Sequence, residues 1–116
     1  MKITVTIKEN ILVVSLSGEL DHHTAKKVKE TAEEVIKNKG IKNLIFDFNC
    51  LTFMDSSGIG VVVGRYKLIS SLGGRVAIVN SSPAIDRLLI MSGIKKIITV
   101  HNSIANAIKY IQEEIS

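Results

Sequence analysis

The sequence contains one cysteine, one proline, no tryptophan and only five other aromatic residues. The lone Cys50 cannot close an internal disulfide, and there is no C-x-x-C pair to suggest a zinc site. A reducing, cytosolic setting is therefore the expectation. Long apolar runs are missing as well: stretches such as Val61–Val63 and Leu88–Met91 fall far short of the ~18–20 residues of a membrane span. The opening MKITVTIKEN alternates apolar and polar residues and lacks the apolar block of a signal peptide. No linker, internal repeat or low-complexity segment interrupts the chain. With 116 residues, 46% apolar and 22% charged, one domain spanning residues 1–116 is expected. Such a domain can bury about two-thirds of its unfolded surface, enough to fold without a metal or a crosslink. These features predict a soluble cytoplasmic protein with no membrane contact.

The formal net charge of +4 raises the question of nucleic acid. Twelve of the fifteen basic residues are lysines, scattered from Lys2 to Lys109 without a basic block. Lys26, Lys27 and Lys29 alternate with Glu30, Glu33 and Glu34, the pattern of a solvated helix face. The aromatics do not interleave with arginine, and no nucleic-acid motif is present. No direct nucleic-acid contact is expected.

Ile3, Val5 and Ile7 alternate with polar residues, and after Asn10 the segment ILVVSLSG alternates again, which predicts a β-hairpin ending at Gly18. Thr24 is the expected N-cap of a helix whose apolar stripe is Ala25, Val28, Ala32, Val35 and Ile36, with Gly40 at its end. Leu44–Phe48 reads as a central strand and 49–57 as a loop. A second helix begins near Gly58 and ends at Gly73-Gly74. Val76–Val79 is a buried strand, and Ser82-Pro83 starts a third helix that stops near Gly93. Ile97–Val100 is the last strand, and Ser103 caps a final helix striped by Ile104, Ile108, Ile111 and Ile115. The order β-β-α-β-α-β-α-β-α predicts an α/β domain with a mixed, mostly parallel sheet and four helices.

Asp55-Ser56-Ser57-Gly58 is the most informative segment, because it leads from a strand into a helix start, where free N–H groups and the helix dipole favour negative charge. Capping explains one serine, with Ser57 the better candidate. It does not explain Gly58 and Gly60 in the first turn, which cost roughly 1 kcal/mol each relative to alanine and suggest a close approach to the backbone. Enzyme motifs fail here. Met54 stands where a nucleophile elbow needs glycine, the spacing of Gly58, Gly60 and Gly64 does not match a dinucleotide fingerprint, and no Gly-Lys-Ser/Thr loop exists. Adjacent His22 and His23 diverge by about 100° on a helix and do not converge on an ion. No catalytic, cofactor-binding or metal-binding residue is assigned. A phosphoserine at this helix start, adding about −1.5 to −2 charge beside Asp55, fits the local physics.

Gly18-Glu19-Leu20-Asp21-His22-His23-Thr24-Ala25, Phe53 to Val61 (FMDSSGIGV), Gly64-Arg65-Tyr66-Lys67 and Met91-Ser92-Gly93, taken in order, closely resemble the bacterial anti-sigma factor antagonists of the STAS-domain family. The resemblance implies four helices against a mixed sheet and a non-enzymatic binding module. It implies that the unphosphorylated form binds an anti-sigma factor that is an ATP-dependent serine kinase and thereby releases a sigma factor. Phosphorylation at Ser56 would end that binding, and a PP2C-type phosphatase would restore it. Asp21, Asp55, Ser57, Gly58, Ile59 and Gly60 are the implied partner-binding residues. Leu20-Asp21-His22-His23 points to the sporulation branch. The general-stress branch and a small nucleotide-binding or nucleotide-hydrolysing protein remain alternatives.

Overall fold

Strands with apolar residues on both faces must be covered on both sides, and the chain does this unequally. The computed structural model describes residues 1–115, with side chains through residue 113. Its elements are β1 (Lys2–Lys8), β2 (Ile11–Leu20), α1 (Ala25–Asn38), β3 (Asn43–Met54), α2 (Ser56–Ser71), β4 (Val76–Val79), α3 (Pro83–Ser92), a 3₁₀ turn (Ile94–Lys96), β5 (Thr99–His101) and α4 (Ile104–Ile115). The five strands lie in sequence order in one sheet, with β1 antiparallel to β2 and the other neighbours parallel. This is the predicted element order and fold class.

Each parallel connection steps to the next strand in the same direction, so crossovers of one hand place their helices on one face. Accordingly α1, α2 and α3 cover Leu12, Val14, Leu44, Phe46 and Ile78. The alternate residues Ile11, Val13, Ile45, Ala77 and Val79 face α4, packed by Ala107 and Ile111. The two-sided cover explains why the central strands read as continuous apolar runs. Ile104 and Ile108 of the predicted α4 stripe flank this second core, while the side chain of Ile115 lies outside the described residues.

Several boundaries move. β2 does not end at Gly18 but passes through it with φ +111°, a backbone region open to glycine, and continues to Leu20. The segment 49–57 is not a loop: β3 runs to Met54. Its pairing with β4 covers only Leu44–Asp47, whereas β2 follows it to its end through two register irregularities. Beyond Phe48 the strand is thus half-paired and exposes Asn49, Cys50, Thr52 and Phe53, so its sequence carries loop-like residues. A 3₁₀ turn follows Gly93, Ile97 and Ile98 lead out of it without joining the sheet, and β5 starts at Thr99, two residues later than predicted. Ser82, with Pro83 at the first helical position, caps α3 as expected, and Ser103 Oγ accepts the Asn106 N–H at 3.1 Å.

His101 on β5 is half-buried beside Tyr110, with ring centroids 5.0 Å apart and Nε2 2.9 Å from Thr99 Oγ1. Burial holds its pKa below the ordinary 6.5. The unfolded chain therefore takes up this proton more readily than the folded one. The stability involved is complete above about pH 6.5 and is lost as pH falls through the depressed folded value. The thermal midpoint should drop between pH 7.5 and 5, and His101→Gln should flatten that drop in a melting series.

Candidate functional site

The overhanging end of β3 delivers Asp55 to the start of α2. There the backbone is extended (φ −112°, ψ −169°), and Asp55 Oδ1 accepts the N–H groups of Ser57 (2.8 Å) and Gly58 (3.3 Å). Oδ2 accepts the His22 N–H at 3.2 Å, and the Asp55 N–H donates to the Leu20 carbonyl at 3.3 Å. The expectation that Ser57 caps this helix is therefore corrected. An aspartate one position before the first helical residue accepts from the first free N–H groups of the helix and adds a full negative charge to its positive end.

The capping shift decides how the two serines are presented. Ser56 is the first helical residue and is exposed, whereas Ser57 is half-buried against the α1–α2 groove. Gly58 is buried. A Cβ there would lie 2.6 Å from Met54 Cγ, 2.9 Å from Leu20 Cγ and 3.0 Å from the Leu20 carbonyl, so this glycine lets α2 pack against the end of β2. Gly60 is exposed, with nothing within 4 Å of its would-be Cβ. The shared inference for the two glycines thus divides: Gly58 answers the protein's own core, and only Gly60 leaves an open surface. Ile59 between them is half-buried against the core.

Asp21 sits in the loop that Asp55 holds. Its Oδ1 accepts the N–H groups of His23 (2.9 Å) and Thr24 (3.1 Å), while Thr24 Oγ1 donates to the Glu19 carbonyl (2.8 Å). Partial desolvation raises the Asp21 pKa. Hydrogen bonds from Thr24 and His23, together with the nearby His23 imidazole, outweigh it and hold the carboxyl below its ordinary value. Asp21 therefore shapes the turn as well as displaying charge. Thr24 occupies the N-cap position of α1 but makes no side-chain cap bond. His22 and His23 are exposed.

Asp21, Asp55 and Ser56 thus meet where the β2–α1 loop lies against the start of α2. Two neighbours escaped sequence reading. Phe53, 46% exposed at the end of β3, is an aromatic of the kind that anchors interfaces. Its signal was an apolar residue out of phase with the buried Met54. Arg65 on α2 is buried and pairs with Glu33 of α1, Nη2 to Oε2 3.2 Å. An arginine on an apolar helix face was the available clue.

A sequence model of the STAS domain matches residues 2–107. The chain is 42% identical over 102 residues to the anti-sigma F factor antagonist of Paenibacillus polymyxa, covering 88% of this chain and 87% of the relative. It is 33% identical over 105 residues to the anti-sigma-B factor antagonist of Listeria monocytogenes, covering 88% and 91%. The structure resembles the antagonist SpoIIAA in its unphosphorylated form, with a TM-score of 0.76 at 26% identity over 96% of this chain and 98% of that one. It resembles the phosphorylated form of Bacillus SpoIIAA equally, with a TM-score of 0.75 at 28% identity over 95% and 99%.

The contrast between the glycines is directly measurable. Gly58→Ala should destabilise the domain by about 1–3 kcal/mol, because Leu20 and its carbonyl must move. Gly60→Ala should stabilise it by about 0.5–1 kcal/mol through helix propensity. Urea unfolding of the two variants should give midpoints on opposite sides of the wild type. Asp55→Ala should cost about 1–2 kcal/mol, and Asp55→Asn less, since the amide oxygen can still cap.

Proposed function

The chain belongs to the STAS domain family, and on that premise we propose that it is an anti-sigma factor antagonist switched by phosphorylation of Ser56. One observation carries the reading: Ser56 is exposed at the first position of α2, beside a carboxylate that ties the β2–α1 loop to the start of that helix. Ser57 is half-buried, so a kinase reaches Ser56 more readily. The unphosphorylated protein docks on an anti-sigma factor serine kinase that holds ATP or ADP, and the sigma factor is displaced. Asp21, Phe53, Ser56 and Gly60 form the exposed lip of the docking face, while Asp55, Gly58 and Ile59 support it from below. A PP2C-type phosphatase resets the switch. The chain's own role is recognition, with no catalysis.

The physics favours a local block over refolding. Within the monomer, the α2 dipole favours a phosphate on Ser56 by roughly 0.3–1 kcal/mol, and repulsion from Asp55 offsets part of this. Both effects are small beside a folding free energy of about 5–15 kcal/mol. Docking, in contrast, would strip water from a dianion, at a cost of several kcal/mol without a new cationic partner. That SpoIIAA matches this fold almost equally in its two phosphorylation states supports the same view. The higher identity to a sigma F antagonist than to a sigma B antagonist favours the sporulation pathway.

Incubation with a cognate anti-sigma kinase and ATP should place one phosphate on Ser56, mapped by mass spectrometry. Ser56→Ala should abolish labelling and keep binding, whereas Ser56→Asp should weaken binding at least tenfold by calorimetry. Label on Ser57 in the wild type would overturn the assignment. Asp21→Asn keeps the oxygen that holds the turn and removes the charge. It should weaken binding roughly tenfold or more while leaving the melting temperature within a few degrees.

A further inference from the structure

Between the C-terminal ends of α1 and α2 lies a groove of about 310 Å³, within the size range of small-ligand sites. Its lining is Ile36 and Lys37 of α1, Gly40, Ile41 and Lys42 of the loop that follows, and Leu68 and Leu72 at the end of α2. Ile36 and Ile41 are buried, Leu68 is half-buried, and Leu72 stands 47% exposed. The apolar side chains thus form the floor and one wall of a cleft open to water.

The groove is held in shape by backbone contacts. The Lys42 N–H donates to the Asn10 carbonyl at 3.0 Å, and Gly74 comes so close that a Cβ there would overlap the Lys42 carbonyl. Leu72 ends α2 with its N–H on the Ile69 carbonyl at 3.1 Å. Nothing lies within 4 Å of the would-be Cβ of Gly40, which leaves room at the rim. A site formed before its ligand arrives spares the ordering cost of binding.

The charge around the groove is one-sided. No carboxylate occurs between residues 35 and 46 or between residues 56 and 85. Lys37, Lys39 and Lys42 are exposed, and none of them pairs with a carboxylate among the described residues. Lys37 suits the last turn of α1, whose carbonyls favour a cation. That reason does not extend to Lys42, which lies beyond the helix and leads into β3. An apolar cleft flanked by unpaired cations fits a ligand with an apolar chain and one negative head. The lining side chains include no hydrogen-bond acceptor, which suits an acyl chain better than a peptide with its N–H groups. Leu72 is the one strongly exposed apolar residue of the lining, too little for a bilayer contact and enough to cover a single chain.

We propose that this groove binds a medium-chain fatty acid anion, with its chain along Ile36, Ile41, Leu68 and Leu72 and its carboxylate at Lys37 and Lys42. Leu68 lies roughly 18 Å along α2 from Ser56, so the site stands apart from the docking face proposed above.

Decanoate, kept below its micellar range, is the probe for an NMR titration of ¹⁵N-labelled protein. Saturable shifts should appear at the amides of Gly40, Ile41, Lys42 and Leu72, while those of residues 56–60 stay in place. Octanoate, two methylenes shorter, should bind roughly tenfold more weakly. Decyltrimethylammonium, with the same chain and a cationic head, should give no saturable shift in the groove. The double variant Lys37→Glu/Lys42→Glu should bind decanoate at least tenfold more weakly and melt within a few degrees of wild type. Shifts that never saturate, equal binding of the cationic probe, or a double variant binding within twofold of wild type would each overturn the inference. So would groove shifts that appear with anionic vesicles and not with free decanoate. If the double variant does not fold, the comparison of decanoate with the cationic probe decides. All of these outcomes leave the reading of Ser56 untouched, because they are measured without the kinase.

Discussion

The Asp55 carboxylate is the interaction on which the candidate surface around Ser56 depends. One oxygen receives two N–H groups of the first turn of α2, and the other receives the His22 N–H from the loop between β2 and α1. A neutral cap would satisfy the helix end alone. The carboxylate has lone pairs for both segments, and the helix dipole offsets the cost of keeping its charge partly buried. Asp21 repeats the device within the loop, with its own oxygen closing the turn at His23 and Thr24. Two acidic residues, each bonded to backbone, hold the surface on which Ser56 is displayed.

That arrangement requires the end of β3 to outrun the sheet. Pairing with β4 stops at Asp47, and the remainder follows β2 alone through two irregularities. Side chains steady this section: Asp47 bonds Ser15 Oγ at 3.0 Å and the Asn49 N–H at 3.1 Å, and Asn49 Oδ1 accepts from Ser81. Irregular pairing bends and twists a strand locally. Here it carries Met54 inward and leaves Phe53 outward, so that the next residues emerge at the rim and not over the core.

The surface and the interior make opposite uses of α2. Gly58 brings the helix close enough to touch Leu20, while Gly60 exposes bare backbone to solvent. Farther along, Arg65 is set into the seam with α1 and shares its charge with Glu33, with Nε and Nη1 left without a partner among the described residues. Burial lowers the Arg65 pKa, and the Glu33 carboxylate works against that shift and keeps the charged form. The helix thus gives up propensity at Gly60 and packing at Arg65.

Periodicity and punctuation were enough to read the element order, the fold class and most caps. Alternating strands, 3.6-residue stripes and residues such as Ser82-Pro83 and Gly93 act over a few positions, which a linear reading sees. The segment around Ser56 was legible for the same reason, as a short motif at a strand-to-helix junction. Other features depend on groups distant in the chain. The length of β3 is set by partners in β2, so the segment 49–57, with few apolar residues in phase, looked like a loop. Asp55 displaced Ser57 as the cap because the same carboxylate also meets His22, 33 positions away. Gly58 and Gly60 look alike in the sequence and differ only through what faces them, Leu20 and Met54 for one and solvent for the other. The unmet donors of Arg65 appear only when α1 packs against α2, because desolvation is a property of the assembled interior and not of any residue alone.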